Sequence, residues 1–400
     1  MGIKSIIITL VSLALLMVFL LQGYGNFLIL IFFNLLILSY MLVKRYDTKL
    51  ILLVYVQWVL YVIFLIIHQY VHILPGSGND DLRFEKLADN YYYHYLFSTN
   101  IDLFQNSRTY SQFIAMIYFL GKPHILIPGL VNISVHTITV ILLYKICNNV
   151  FNNPKVSMIT ATLYTLYPIY IFTTVITLRE MFIVMFIMLF TYALLQLHKT
   201  KNVTYFFYSI IALLVGAIFH IGLLGLLLVL ACYFIFISNI YKSARVILAM
   251  LFITSFVVVI FNSNDAKVQN TINTDDHTKS LDLNSRADYI SVNESNGLQT
   301  KMKQVTYFLL KPFPWEVKTL ADVIGVFDIW VILLATFLAL VLYKKTKNKA
   351  ILIVLITVYG TFITFAIGTY NYGTALRHRD KVAMLLTMFI NYYIFYKKGR

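Results

Sequence analysis

The feature that most constrains this chain is the recurrence of apolar stretches along its whole length. A run of about 18 apolar residues is long enough to cross a hydrocarbon core of roughly 30 Å as a helix. The 400 residues are 60% hydrophobic and only 12% charged, whereas soluble proteins are about 25% charged. The sequence therefore predicts an all-α, polytopic integral membrane protein. The first stretch, "SIIITLVSLALLMVFLLQG", is too long for the core of a signal peptide and is followed at once by another span, so we interpret it as a transmembrane helix.

Charged connectors divide the apolar stretches into about twelve predicted spans. Their bounds are 5–22, 26–43, 50–71, 124–146, 156–175, 181–197, 203–219, 221–240, 245–261, 322–343, 350–369 and 382–396. The apolar patch 110–120 is too short to cross and is predicted to lie in the interface or to re-enter. Five segments follow from this division: a three-span segment 1–71, an outer loop 72–123, a central bundle 124–261, an outer loop 262–321 and a three-span segment 322–400.

Basic residues give the predicted spans one orientation. With the N-terminus in the cytoplasm, every short inner connector is rich in lysine or arginine, and Asp47 is the only acid among them. This matches the positive-inside rule and predicts a multi-pass protein with both termini cytoplasmic. The Ile, Asn, Lys and Tyr usage is typical of a low-GC bacterium, so we expect the plasma membrane of a bacterial cell. The net charge of +15 suits an anionic inner leaflet and requires no nucleic acid.

Motifs for soluble cofactor chemistry are absent from the sequence. We find no P-loop, dinucleotide fingerprint, HExxH or CxxC pair, and Cys147 and Cys232 indicate no disulfide framework. His68 and His72 are spaced as two metal ligands on a helix would be, but no third ligand stands at readable spacing. We predict no metal site and no cofactor, although a divalent metal is not excluded.

The first predicted outer loop contains adjacent acids, Asp80 and Asp81, at the start of an amphipathic helix, and Glu85 and Asp89 follow within the next turns. One aspartate is expected as a helix N-cap. Two adjacent aspartates beside a membrane surface favour the interpretation that one of them is a catalytic base, because partial desolvation raises the pKa of a carboxyl group. Capping alone is the competing interpretation.

Cations at two other predicted outer positions are candidates for binding an anion. Arg179 and Glu180 stand between two spans, where an unpaired charge would be costly; a simple ion pair is the alternative. The outer loop "ALRHR" contains Arg377, His378 and Arg379. Arginine suits phosphate, and binding of lipid headgroups without turnover is the alternative for this loop.

These patterns together are similar to known membrane enzymes. The acidic pair with the following "LADNY" and the hairpin "YPIYIFTTVITLRE" resemble the polytopic glycosyltransferases of the C-type (GT-C) fold. "PFPW" and "ALRHR" resemble the bacterial polymerases that join repeat units of capsule, O-antigen or exopolysaccharide. The resemblance implies that Asp80 or Asp81 activates an acceptor hydroxyl and that Arg179, Arg377 and Arg379 hold the phosphate of a lipid-linked donor.

The expected function is therefore glycosyl transfer on the outer face of the membrane. A polyprenyl-(pyro)phosphate sugar would be the donor and co-substrate, and a glycan the acceptor, with Tyr91 and Tyr95 stacking on sugar rings and His220 as an accessory residue. Expected partners are the lipid bilayer and polysaccharide export or chain-length proteins. The alternative is a flippase or transporter of lipid-linked oligosaccharides, which needs charges within spans; Asp322 and Asp328 are its candidates.

Overall fold

The computed structural model describes residues 23–78, 80–101, 108–238, 242–262, 298–367, 369 and 372–395. Within these ranges the regular structure is helical and no strand is present. The predicted all-α class is thus confirmed for the described chain. The predicted first span, 5–22, lies outside the described residues, as does most of the outer loop predicted at 262–321.

Fifteen α-helices occur in the described ranges, and we number them in chain order. They are α1 (Gly25–Val43), α2 (Thr48–Tyr70), α3 (Asp80–Phe97), α4 (Thr109–Tyr118), α5 (Ile127–Phe151), α6 (Pro154–Leu166), α7 (Pro168–Val175), α8 (Glu180–Thr200), α9 (Thr204–Phe219), α10 (Leu226–Cys232), α11 (Lys242–Asn262), α12 (Leu298–Leu310), α13 (Leu320–Thr346), α14 (Lys349–Ile367) and α15 (Tyr372–Phe395).

Several of these helices are long and apolar enough to cross a membrane, which identifies a membrane protein. Six qualify among the described residues: α1, α2, α5, α8, α13 and α14. The count becomes seven if α6 and α7, which meet at a bend of 57°, form one broken span. The expected number of about twelve is not confirmed.

Interruptions of the helices explain part of this difference. Pro168 lacks a backbone N–H and breaks the predicted span 156–175 after Leu166. The predicted span 203–219 corresponds to α9, which has only 16 residues. His220 ends α9 with extended backbone angles, and a 3₁₀ turn follows before α10 begins. Apolar composition alone does not reveal these breaks.

The chain forms two compact units, which we describe separately. The first comprises the described residues up to Ile141 together with Ala161–Met185, and the second comprises Leu142–Thr160 and the described residues from Phe186 onward. The five sequential segments stay a prediction.

In the first unit, α3 and α4 form a hairpin outside the candidate spans. Leu87 and Tyr91 of α3 pack against Ala115 of α4, and the buried Ser111 hydroxyl donates to the Phe84 carbonyl at 2.9 Å. The predicted interfacial patch corresponds to α4, whose ten residues span about 15 Å as a helix. This is half of what a crossing requires.

In the second unit, α13, α14 and α15 pack against one another and against shorter elements. Gly325 of α13 permits a close approach, because a Cβ at this position would lie 1.9 Å from the Tyr372 hydroxyl of α15. Asn391 of α15 donates to the Thr160 hydroxyl at 3.0 Å. The close approach of Gly325 to Tyr372 lies at the start of α15, which carries the predicted basic loop.

Candidate functional site

The start of α3 is held by the carboxylate of Asp81. Asp81 is 2% exposed, and it accepts hydrogen bonds from the Ser77 hydroxyl and from the Gly78 N–H, the latter at 3.0 Å. Gly78 has a φ of +100°, a conformation that glycine adopts without strain. Asp81 therefore closes the turn that leads into α3.

Asp80 has a different environment. Its side chain is 36% exposed and lies 4.0 Å from the guanidinium of Arg83, which is itself largely exposed. An exposed pair of this kind contributes at most about 1 kcal/mol. The catalytic assignment of Asp80 and Asp81 stays a prediction, and neither environment singles out a base.

Glu85, one turn after Asp81, has the environment expected of a base. It is partly buried, and its carboxylate accepts a hydrogen bond from the buried Thr177 hydroxyl. Burial raises the pKa of Glu85; Thr177 opposes this shift, and the nearby Asp81 and Asp89 reinforce it. Burial likewise raises the pKa of Asp89. Carboxyl groups with raised pKa values can accept protons efficiently near neutral pH.

The loop that carries Thr177 lies between α7 and α8 and is held by Asn132. Asn132 is fully buried near the start of α5, and its side-chain amide donates to the carbonyls of Ile176 and Leu178 at 3.0 and 2.9 Å. Its oxygen accepts from the Tyr110 hydroxyl of α4 at 3.2 Å. One side chain thus joins α4, α5 and the loop.

Arg179 is the last residue of this loop, and Glu180 is the first residue of α8. The Arg179 guanidinium lies 5.8 Å from the centre of the Phe84 ring on α3. The backbone carbonyl of Arg179 accepts a hydrogen bond from the N–H of Phe182 at 3.1 Å. The structure therefore places Arg179 beside Phe84 of α3.

This first site lies at helix ends on one side of the unit. A Cβ added at Gly129, near the start of α5, would meet both Leu65 near the end of α2 and the Val175 carbonyl at the end of α7. The end of α2, the start of α5 and the end of α7 are therefore adjacent. Because α2 and α5 are candidate spans, the site lies at the ends of two candidate spans.

The predicted aromatic pair lies further along α3. The rings of Tyr91 and Tyr95 stack with centroids 6.0 Å apart. Tyr91 is buried against the α3–α4 core, whereas Tyr95 is 47% exposed. Burial raises the pKa of Tyr91. Of the two, Tyr95 is the ring accessible to a ligand.

In the second unit, two of the predicted residues, His220 and His378, are brought together. Their ring centroids are 5.5 Å apart, and the ring of Phe365 on α14 contacts both. The buried Lys381 contributes its Nζ at 2.8 Å from Nδ1 of His378. Lys381 was not among the predicted site residues.

Arg379 points to a different part of the second unit. It is 1% exposed, and its Nη1 donates to the carbonyls of Phe308 and Lys311, at 3.2 and 2.7 Å, around the end of α12. Lys311 in turn forms an ion pair of 2.8 Å with Glu316 in the "PFPWE" turn. These contacts give Arg379 a bracing role, and its predicted phosphate contact stays untested.

The remaining charges near the start of α15 have mixed environments. Arg377 is partly buried. Burial, followed by the nearby Asp328, raises the pKa of Asp380 to about 8. The buried Asp322 caps α13 by accepting from the N–H groups of Lys318 and Thr319 at 3.0 and 2.9 Å.

Metal ligands are not grouped in the described part of the chain, where no three His, Cys, Asp or Glu side chains are close enough to share an ion. His68 uses its Nδ1 to accept from the Leu74 N–H at 3.2 Å, and so helps to end α2. Cys147 and Cys232 are both free thiols.

Sequence reasoning did not select Glu85, Thr177, Asn132 or Lys381. One signal for Glu85 was present: Asp81, Glu85 and Asp89 are spaced four residues apart and therefore share a helix face. Thr177 and Asn132 carry no such signal, because their partners are distant in sequence.

Known proteins add no assignment to this geometry. Neither a protein-family model, nor a curated protein, nor a solved structure matches the chain. The resemblance to GT-C enzymes and repeat-unit polymerases therefore stays a prediction carried by the quoted motifs.

Proposed function

We propose that this membrane protein is a glycosyltransferase that joins sugars or oligosaccharide repeat units from a polyprenyl-(pyro)phosphate donor into a surface polysaccharide. The observation that carries the proposal is the partly buried Glu85, which is held by Thr177 in the loop that leads to Arg179 and Glu180. A base, a nearby cation and a membrane boundary are what transfer from a lipid-linked donor needs.

In the proposed reaction, the acceptor hydroxyl oxygen attacks the anomeric carbon of the donor sugar. The bond between that carbon and the phosphate oxygen breaks, and the phosphate leaves with the electron pair. Glu85 takes the proton of the acceptor hydroxyl, as a carboxylate with a raised pKa can. Positive charge stabilises the departing phosphate, and we assign Arg179 to this role in the first unit. The phosphate contacts predicted for Arg377 and His378, which lie in the second unit, stay predictions.

The proposed orientation places the first site outside the cell. The site is at the end of α2 and at the starts of α5 and α8, and the other ends of these helices adjoin the basic residues Lys44, Lys155 and Lys199. Basic connectors favour the cytoplasmic side. We propose a multi-pass protein of a bacterial plasma membrane with both termini in the cytoplasm. The bilayer, the lipid-linked donor and the glycan acceptor are its proposed partners, together with export or chain-length proteins.

The test is the substitution Glu85→Gln in a deletion strain complemented with the gene, with surface polymer and lipid-linked oligosaccharides as readouts. Loss of a general base lowers a rate by about 10²–10⁴-fold. We expect single repeat units to accumulate on lipid at the outer face. Asp47→Asn, which changes an exposed carboxylate at the opposite end of α2, is the matched control and should retain polymer.

Two results would reject the proposal. If the Glu85→Gln strain makes as much surface polymer as the wild type, then Glu85 is not the catalytic base. Accumulation of repeat units at the inner face in the deletion strain would instead favour the flippase alternative, because an absent polymerase leaves its substrate outside.

A further inference from the structure

Thr177 stands at the centre of a tight turn in the loop between α7 and α8. The N–H of Leu178 donates to the carbonyl of Ile176 at 2.7 Å, which is the hydrogen bond of a three-residue γ-turn around Thr177. Thr177 is only 1% exposed. Its backbone is therefore constrained by a hydrogen bond between the residues on either side of it.

Asn132 holds this turn from α5. The two N–H groups of its amide donate to the carbonyls of Ile176 and Leu178, the residues that flank Thr177. Its oxygen accepts from the Tyr110 hydroxyl of α4. An asparagine side chain offers two N–H donors and one acceptor oxygen, so both donors and the oxygen are engaged. The direction in which the Thr177 side chain leaves the loop is therefore set from α5.

The hydroxyl of Thr177 donates to one oxygen of the Glu85 carboxylate, Oε1. Glu85 is partly exposed, and among the described residues no second hydrogen bond reaches its carboxylate. A threonine hydroxyl has a single proton to donate, and this one is directed at Oε1. Oε2 is therefore the oxygen that remains to accept a proton from a bound hydroxyl group.

The same hydrogen bond acts against the other influences on this carboxylate. Burial raises the pKa of Glu85, the hydrogen bond from Thr177 lowers it, and the nearby Asp81 and Asp89 on α3 raise it. A hydrogen bond to the charged form of an acid favours that form. Thr177 therefore keeps part of the population of Glu85 ionised in a place that disfavours its charge.

Other titratable groups near this carboxylate belong to α4 and to the start of α8. Burial is the main cause that raises the pKa of Tyr110 and of Tyr118, so both hydroxyls stay neutral in the range where the carboxylate titrates. Glu180 also acts on Tyr110, and Arg179 lies beside α3. None of these groups is altered when Thr177 is replaced, so a comparison of variants at that position isolates its hydrogen bond.

We propose that Thr177 is a positioning residue for Glu85: its hydroxyl binds Oε1 and leaves Oε2 to take the proton of the acceptor hydroxyl. That this proton comes from a glycan acceptor rests on the proposed function. That Thr177 orients the carboxylate and favours its ionised form rests on the contacts between the two residues and on the turn that Asn132 holds.

The experiment is a titration of the Glu85 carboxyl group in the purified full-length protein in lipid nanodiscs. Glutamate labelled with ¹³C at the side-chain carboxyl group gives few signals, because the chain contains only four glutamates: Glu85, Glu180, Glu294 and Glu316. The signal that disappears in Glu85→Gln belongs to Glu85. Its chemical shift as a function of pH reports the ionisation of this residue, with no need for a substrate.

Thr177→Val keeps the branched shape of the side chain and removes the hydroxyl. We expect the proton affinity of Glu85 to rise on the order of tenfold, as the loss of a hydrogen bond to a charged group implies. Thr177→Ser keeps the hydroxyl and should restore the wild-type titration. Thr174→Val is the matched control, because Thr174 is buried in α7 and its hydroxyl donates to the Tyr170 carbonyl rather than to a carboxylate.

Two results of this titration would overturn the proposal. An unchanged titration of Glu85 in Thr177→Val would show that the hydroxyl does not act on the carboxylate. An equal change in Thr174→Val, or a change that Thr177→Ser does not reverse, would show that the packing of the loop is responsible and not the hydroxyl.

A second measurement uses the wild-type protein and so does not depend on how the variants fold. With ¹³C-labelled threonine and glutamate, solid-state NMR of the protein in lipid should show a through-space cross-peak between Cβ of Thr177 and the side-chain carboxyl carbon of Glu85. Absence of any threonine cross-peak to the Glu85 carboxyl signal would overturn the proposed contact.

The pH dependence of transfer separates this inference from the proposed function. A general base acts in its deprotonated form, so a higher proton affinity of Glu85 should move the acid limb of the pH–rate profile to higher pH in Thr177→Val, and Thr177→Ser should return it. A titration that responds to Thr177 in a protein without transfer activity would reject the function and keep the positioning of Glu85. Transfer that depends on Glu85, with an unchanged titration and acid limb in Thr177→Val, would keep the function and reject the role of Thr177.

Discussion

Replacing Asn132 by leucine should destabilise the protein through the loss of three hydrogen bonds at one buried position. Asn132 donates to the carbonyls of Ile176 and Leu178 and accepts from the Tyr110 hydroxyl, at 2.9–3.2 Å. Leucine branches at the same atom but is larger, so overpacking contributes to the loss at Asn132 and at the control position alike. Hydrogen bonds between membrane helices average about 0.6 kcal/mol and reach about 1.7, and leaving buried partners unsatisfied adds to the loss. We expect the free energy of unfolding to fall by roughly 2–4 kcal/mol.

The assay is reversible unfolding in mixed detergent micelles, followed by far-UV circular dichroism. Asn391→Leu is the matched control, because Asn391 is also buried and makes one side-chain hydrogen bond, to Thr160. It should cost about 1 kcal/mol. Tyr110→Phe provides a further check: it should be less costly in the Asn132→Leu background than in the wild type, since the hydroxyl has already lost its acceptor.

Equal destabilisation by Asn132→Leu and Asn391→Leu would refute the idea that one amide holds the loop between α7 and α8. Additive effects of Asn132→Leu and Tyr110→Phe would refute the Tyr110 contact specifically.

Three further predictions concern stability and the membrane. Glu85→Gln should stabilise the protein at neutral pH. Because the pKa of Glu85 is raised in the folded state, the wild type loses stability as the pH rises from the ordinary value of 4.5 through the folded-state pKa. The unfolding curves of mutant and wild type should therefore converge below pH 4.5 and separate above it. Gly325→Ala should lower the free energy of unfolding by roughly 1–3 kcal/mol through overpacking against Tyr372. The double variant with Tyr372→Ala should recover part of this loss. Equal stability of Gly325→Ala and the wild type would contradict the close approach. Trp315 is 79% exposed and stacked on Phe313, and it should lie at the headgroup level like other tryptophans beside spans. In a variant that lacks Trp58 and Trp330, lipids brominated near the headgroup should therefore quench the fluorescence of Trp315 more than lipids brominated near the chain end.

The class of fold was predictable because hydropathy is a local property of the chain. The stretch 124–146 is predicted to be a membrane helix without knowledge of its neighbours, and α5 (Ile127–Phe151) forms there. Helix breaks are less local. Pro168 was visible in the sequence, but the end of α9 at His220 depends on a cap that apolar composition does not encode.

The candidate site was predictable only in part, for the same reason. The acidic start of α3 and the Arg179–Glu180 pair are patterns in the sequence, and the structure places Arg179 beside Phe84 of α3. The choice among the acids depends on burial and on Thr177, which is 92 residues away from Glu85. Arg379 shows the converse: its residue type suggested a phosphate ligand, but its position around α15 directs it to the carbonyls of α12.

The division of the chain into two units has a consequence for dissecting the protein. The polypeptide leaves the first unit within α5, returns within α6 and leaves again within α8. Each change of unit falls inside a helix, so a protease acting on exposed connectors cannot release either unit whole, and neither can be expressed as one uninterrupted fragment. During synthesis, the first unit stays incomplete until the ribosome has passed Met185, by which time part of the second has already been synthesised.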